Sequence, residues 1–284
     1  MINIFHIKSS NKELKPILIT YKPESYCAEA VALFARMEEQ PSTALKELIN
    51  KTIIDLKTSG IWDKTDKFHK WDLHTDQASL LDWKNPELDA EVVGTNVTFT
   101  PASGVLTSST GHIELNYNPS TDATSFTLTD AAFSLDDVSE LDTSSFNFGA
   151  YNTTSNIDVI LFRTFVNIDA TYFRPLLYMG NQASFYWTNR LKGSYYTWYC
   201  EKPTTTTLAM YSDSTTYATS TSKTFTTMVN QNLVLGGYRG PNGNVARVPI
   251  NTSLFWIGGK FTSEQRVAYY NIISYWKEHI NEVI

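Results

Sequence analysis

"SLFWIGGKFTSEQRVAYYNIISYWKEHI", residues 253–280, joins a short apolar run to a long helix-forming one across a Gly-Gly pair. Thr262 and Gln265 form a Thr-x-x-Gln capping box, and Glu264 suits the positive end of the helix dipole. Val267, Tyr270, Ile273, Trp276 and Ile280 recur at helical spacing and make a broad apolar sector. Burying such a face contributes several kcal/mol at about 25 cal/mol per Å², less the entropy of ordering it. The spacing therefore predicts a helix that closes over another layer as a lid.

The layer it would cover lies upstream. From about residue 91 the apolar period is two, in "EVVGTNVTFT", "HIELNY", "TSFTLTDAAFSL", "IDVILFRTFVNI", "ASFYWT", "TTLAMYS" and "NLVLGG". Clusters of Gly, Asn, Asp, Ser and Pro separate these runs, and Thr and Ser dominate between them, as half-exposed strands require. "IDVILFRTFVNI" (157–168) is apolar at consecutive positions and is expected centrally, covered on both faces. "YSDSTTY" (211–217) reads as a hairpin tip. The pattern predicts a mainly β sandwich or jelly roll.

The front of the chain differs. Residues 1–90 carry 12 Lys+Arg and 14 Asp+Glu, while the remaining 194 carry 11 and 15. A short strand is expected at "PILITY" (16–21) and a helix over 24–40, stopped by Pro41. A second, amphipathic helix over 42–60 has Leu45, Leu48, Ile49, Ile53 and Leu56 on one face, with Ser42 or Thr43 as its cap. Residues 61–86 read as a folded connector holding Trp62, Phe68, Trp71, Leu73 and Trp83, with Thr75 capping a short helix. Three regions follow: a helical N-terminal module (1–60), a connector (61–90) and a sandwich domain (91–284).

Composition excludes several functions. The net charge of −6 and pI of about 5.4 argue against a surface that tracks nucleic-acid phosphates. No apolar run approaches the ~18 residues needed to span a bilayer, and "MINIFHIKSS" does not read as a secretory leader. Cys27 and Cys200 are expected to be reduced.

"LVLGGYRGPNGN" followed by "FWIGGKFTSEQRVAYYNIISYW" resembles the ending of concanavalin A-like (laminin-G-like) lectin/glucanase sandwiches. Residues 41–121, with "GIWDKTD", "ASLLDWKNP" and "VTFT", resemble the front of bacteriophage virion proteins of the tail-associated or head-fibre kind. The resemblance implies a concanavalin A-like β-sandwich with a C-terminal helix in a structural, non-enzymatic virion protein. It further implies capsid or tail partners, contact with host-surface glycans and self-association, trimeric as fibres commonly are. The helix at 42–58 is the candidate for a shared core, through Leu45, Leu48, Ile49, Ile53 and Leu56. A lectin whose main task is host recognition is the alternative.

The glucanase branch of such folds uses alternating carboxylates, which share one face of a strand and can flank a glycosidic bond. Here Asp158 stands alone and Glu201 has no carboxylate neighbour in sequence, so hydrolysis is disfavoured. His69 and His74, around Asp72 and Asp76, admit a metal site or, more simply, a hydrogen-bonded connector. No cofactor is expected, and no residue pattern supports Ca²⁺. Nucleotide and α/β-hydrolase motifs are missing from the sequence.

"ASFYWTNRLKGSYYTWYCEKP" (183–203) is dense in aromatic residues. Such a run can pack a core, form a subunit interface or stack on sugar rings. On the sugar reading Trp198 and Tyr196 stack while Asn189 and Arg190 bind hydroxyls. "GGYRGPNGN" (236–244) is a tight turn in which Arg239, Asn242 and Asn244 either touch a ligand or simply form a surface loop.

Overall fold

The computed structural model describes residues 25–137, 146, 148–152, 159–167, 172–180, 185–186, 190–191, 196–204, 207–212, 215–220 and 227–284. The expected strand at 16–21 lies outside them. Four α-helices are described: α1 (Ala28–Arg36), α2 (Thr43–Thr58), α3 (Asp76–Leu80) and α4 (Ser263–Val283). Helix α4 carries the expected capping box, Thr262 and Gln265 each satisfying the other's backbone N–H. Ser42 Oγ caps α2 by accepting from Leu45 N at 3.1 Å and donates to Val283 O at 3.0 Å, so one hydroxyl joins the start of α2 to the end of α4. Thr75 caps α3.

The six-stranded sheet runs Thr65–Lys70, Leu254–Gly258, Ala131–Asp137, Tyr196–Thr204, Thr207–Ser212 and Thr215–Ser220 in spatial order. Its pairings are antiparallel. The Thr207–Ser212 and Thr215–Ser220 pair flanks the hairpin expected at 211–217. The larger, ten-stranded sheet has Val159–Asn167 between Tyr172–Gly180 and Phe148–Tyr151, the central position that its unbroken apolar run predicts. A small three-stranded sheet joins Asn251–Thr252, Gly104–Leu106 and Thr98–Thr100.

Alternation along the six-stranded sheet creates three layers. Phe133, Leu135, Trp198, Cys200, Leu208, Met210, Phe255 and Ile257 point one way, into a core shared with Ile113, Phe148, Ile160, Phe162, Leu177 and Leu235 of the larger sheet. Their sequence neighbours Ala132, Tyr199, Ala209, Tyr211, Leu254 and Trp256 point the other way, into a second core with α1, α2 and α4. The fold is thus mainly β, a jelly-roll-class sandwich with one sheet roofed by helices. The layers come from the period-two pattern itself.

Three expectations change. The connector is part of the sandwich, because Thr65–Lys70 pairs with Leu254–Gly258 at the edge of the six-stranded sheet. Leu45, Leu48, Ile49, Ile53 and Leu56 are all buried within this chain, against the second core, so that face offers no seam for subunits. On α4, Val267 is 50% exposed, and Tyr269 and Ile272 join Tyr270, Ile273, Trp276 and Ile280 in the buried set.

Candidate functional site

Asp66 shows how the connector is locked. Its carboxylate accepts from Tyr117 OH (3.1 Å), Thr124 N (3.2 Å), Ser125 N (2.8 Å) and Phe126 N (2.8 Å). With the Thr124 hydroxyl, which donates at 2.5 Å, five donors meet this buried carboxylate and mark a structural keystone with no acceptor capacity to spare for chemistry.

The aromatic stretch is core. Trp198 is 1% exposed, between Phe162 (6.4 Å between ring centroids) and Tyr196 (5.3 Å), and Tyr196 is 9% exposed. Neither ring can stack on a sugar, because the strand Tyr196–Thr204 is covered on both faces. Asn189 lies outside the described residues, and Arg190 is placed only as a backbone pair with Phe173. Glu201, 2% exposed, accepts from Tyr211 OH at 2.9 Å and meets Arg266 beneath α4. His69 is buried and stacked on Trp71 at 4.5 Å, whereas His74 Nε2 contacts Glu39 O at 2.8 Å. These two histidines do not converge, and among the described residues no group of three or more His, Cys, Asp or Glu could hold a metal. Cys27 and Cys200 are free thiols.

The turn at 236–244 borders a shallow surface cavity. In the strand Phe148–Tyr151, Phe148 and Ala150 face the core, so Tyr151 falls on the outer face. The strand Gly237–Arg239 pairs parallel with it through Arg239 and Ala150, and antiparallel with Val245–Arg247. Tyr238 thereby stands 6.0 Å from Tyr151, ring centroid to centroid, with a 32° tilt, while Phe146 meets Tyr238 edge-on at 6.0 Å. Tyr151 and Tyr238 are half-buried, and Asn242 and Asn244 are exposed. Together with Pro241 and Val245 they line a shallow cavity of about 280 Å³. Burial, and to a lesser extent the neighbouring Tyr238, holds the Tyr151 hydroxyl above its ordinary range, so it is a neutral donor at neutral pH.

The loop is held rigid. Gly240 N donates to Asn244 O at 2.8 Å and Gly243 N to Gly240 O at 3.0 Å. Gly243 has φ 78°, a left-handed turn conformation that glycine reaches without strain. Arg239 donates Nε to Asn232 O (3.1 Å), Nη1 to Gly243 O (2.8 Å) and Nη2 to Glu114. The sequence offered Arg239 as a ligand donor; its guanidinium is instead spent on positioning the turn. Glu114 also accepts from His112 Nε2 at 3.1 Å, and His112 Nδ1 accepts from Arg247 at 3.1 Å. Burial opposes ionisation of Glu114, but the His112 hydrogen bond and the Arg239 charge outweigh it and hold the carboxyl below its ordinary range.

Asn242 and Asn244 are exposed on this turn, beside two tyrosines that sequence reasoning did not select. Tyr151 and Tyr238 lie far apart in the chain, and only the parallel pairing of their strands brings them together.

No family model matches the chain, and no curated protein does. Among solved structures it is similar to domain 4 of AbnA, a GH43 extracellular arabinanase from Geobacillus stearothermophilus, in complex with arabinotriose. That likeness has TM-score 0.49 and 14% identity, over 72% of this chain and 97% of that one. The binding domain of botulinum neurotoxin DC in complex with rat synaptotagmin II gives TM-score 0.49 and 12% identity, over 74% and 52%. The botulinum neurotoxin type C structure, whose cell entry depends on interaction with two ganglioside molecules, gives 0.47 and 10%, over 75% and 52%. The chain spans about half the length of those two neurotoxin chains. At these TM-scores the likenesses carry no inference about ligands, and the sandwich assignment stands on the sheets described above.

Proposed function

We propose that this chain is a non-enzymatic carbohydrate-binding β-sandwich, displayed on a bacteriophage virion as a fibre or decoration that meets host-surface glycans. The carbohydrate reading is carried by one observation: Tyr151 and Tyr238 make a half-exposed aromatic shelf flanked by Asn242 and Asn244 on a rigid turn. Aromatic faces stack on the C–H faces of sugar rings, and amide side chains both donate to and accept from hydroxyls. A shallow shelf suits a chain end or branch of a surface polysaccharide, and a turn already fixed by Arg239 loses little entropy on binding.

The non-enzymatic reading is supported by Glu201, which is closed beneath α4 and paired with Arg266. No cofactor enters this reading. Virion placement rests on the likeness of residues 41–121 to phage virion proteins, and with it go capsid or tail partners. Any trimeric assembly must use a surface other than the buried face of α2.

A glycan array of bacterial surface saccharides tests the binding reading. Wild type is expected to bind at least one glycan, and Tyr238→Ala to weaken that binding at least ~10-fold with an unchanged circular dichroism spectrum. Silence of the wild type on every glycan overturns it. Whether the gene lies beside capsid, portal or tail genes tests the virion placement separately.

A further inference from the structure

The tyrosine shelf has a second, aliphatic side. Ala246 pairs directly with Tyr238 across the two-stranded ribbon, so its methyl group stands on the same face as the Tyr238 ring. Pro241 lines the same cavity of about 280 Å³. Ala246 is exposed and Pro241 half-buried, so both are open to solvent, as are the carboxamides of Asn242 and Asn244. One shallow site thus joins aromatic rings, aliphatic carbon and two amides.

The nearby charges are turned away from it. Arg239 follows Tyr238 and Arg247 follows Ala246, so both fall on the opposite face of the ribbon. There Arg239 pairs with Glu114, and Arg247 Nε donates to His112 Nδ1 at 3.1 Å. The described residues that line the cavity are all uncharged, and the chain carries a net charge of −6. A sugar carboxylate would shed hydration here without a described counter-charge, against the field of the whole chain. A plain hexose is neutral, but hydroxyls set against Ala246 and Pro241 would go without partners. An acetamido group fits both halves of the site: its methyl meets the aliphatic carbon, and its N–H and C=O suit carboxamides.

We propose that the shelf selects an uncharged sugar carrying an acetamido group, an N-acetylhexosamine, whose ring stacks on Tyr238 and whose acetyl methyl meets Ala246 and Pro241, with Asn242 and Asn244 binding its amide. This choice of sugar rests on the shelf being the glycan site. One methyl group in an apolar pocket changes affinity by about 10–200-fold, enough to separate an acetamido sugar from its hydroxyl counterpart.

The test is calorimetric titration of the full chain with methyl glycosides, to about 50 mM, a range suited to millimolar affinity. N-acetylglucosamine and N-acetylgalactosamine are compared with glucose, galactose, glucosamine and glucuronic acid. At least one acetamido sugar is expected to bind about 10-fold or more tightly than its hydroxyl and ammonium counterparts and than the uronic acid. Tyr238→Ala is expected to abolish that binding. Ala246→Asn, or Pro241→Ser should the first variant fold poorly, is expected to narrow the preference to under about 3-fold by setting a polar group against the methyl. Equal binding of the hexoses, or tighter binding of the uronic acid, overturns the selectivity and leaves the shelf as a glycan site. A wild type that binds nothing in the panel overturns it too, and the glycan array then decides separately whether the shelf takes other saccharides. A preference that survives Tyr238→Ala, or that both Ala246→Asn and Pro241→Ser leave intact, overturns it equally.

Discussion

Arg266 Nη1 on the first turn of α4 lies 3.2 and 3.3 Å from the two carboxylate oxygens of Glu201, in the middle of the six-stranded sheet. The same guanidinium sits over the Tyr211 ring at 4.2 Å, and Tyr211 OH donates to Glu201 at 2.9 Å. Burial pushes the Glu201 carboxyl above its ordinary range despite the Arg266 charge, so the pair is held against a desolvation penalty. Removing one partner strands the other. Arg266→Leu is expected to lower unfolding free energy by about 3 kcal/mol, and the double variant with Glu201→Leu to recover most of that loss, in urea unfolding at pH 7. An additive double variant would show that Arg266 anchors α4 by packing alone.

Trp198 and Tyr238 separate core from shelf. Trp198→Ala empties a site in the sandwich core, where large-to-small changes cost about 3–5 kcal/mol; thermal unfolding should fall steeply, with any glycan affinity of the surviving folded protein retained. Tyr238 is half-buried on the outer face. Tyr238→Ala should cost under about 1.5 kcal/mol while removing glycan binding. The reverse pattern would return the sugar site to the 183–203 stretch.

How far the sequence carried depends on whether a residue's partners are local. The α4 cap, the Ser42 and Thr75 caps and the central place of the strand at 159–167 were legible because capping needs three residues and a long unbroken apolar run favours the middle of a sheet over its edge. The strand Thr65–Lys70 was not. It reads Thr-Asp-Lys-Phe-His-Lys, yet every residue in it is buried, because Lys67 pairs with Asp82 at 3.1 Å and Lys70 with Asp72. Charges satisfied by distant partners disguise a buried strand as a solvated one. Trp198 misled for the opposite reason. Aromatic alternation is the same whether the face that carries Trp198 meets water or a second sheet, and only the packing of the larger sheet decides which.

His69 carries a pH dependence. Burial, reinforced by the Lys67 charge, holds its imidazole well below the ordinary value of 6.5. The unfolded chain therefore binds a proton near pH 6.5 that the native protein refuses until much lower pH. Stability is fully present above that value and is lost as pH falls below it, by up to about 1.4 kcal/mol per pH unit from this one group. His69→Phe, which keeps a ring against Trp71, should flatten the slope between pH 6.5 and 5 in urea unfolding. A slope unchanged in the variant would assign the dependence to other groups.

Ala102 sets backbone strain against packing on the helix-side core. Ser103 N donates to Thr100 O at 2.9 Å across Pro101-Ala102, and Ala102 has φ 59°, the geometry of a type II turn whose third residue favours glycine. Left-handed backbone costs a non-glycine residue about 1–2 kcal/mol, whereas glycine adds about 0.5–1 kcal/mol of unfolded-state entropy. The difference favours the native state of Ala102→Gly by about 0.5–1 kcal/mol, a rise of roughly 1–3 °C in Tm. Calorimetry decides it. A fall in Tm would mean that the packing of Ala102 against the helix-side core outweighs the strain of its own backbone.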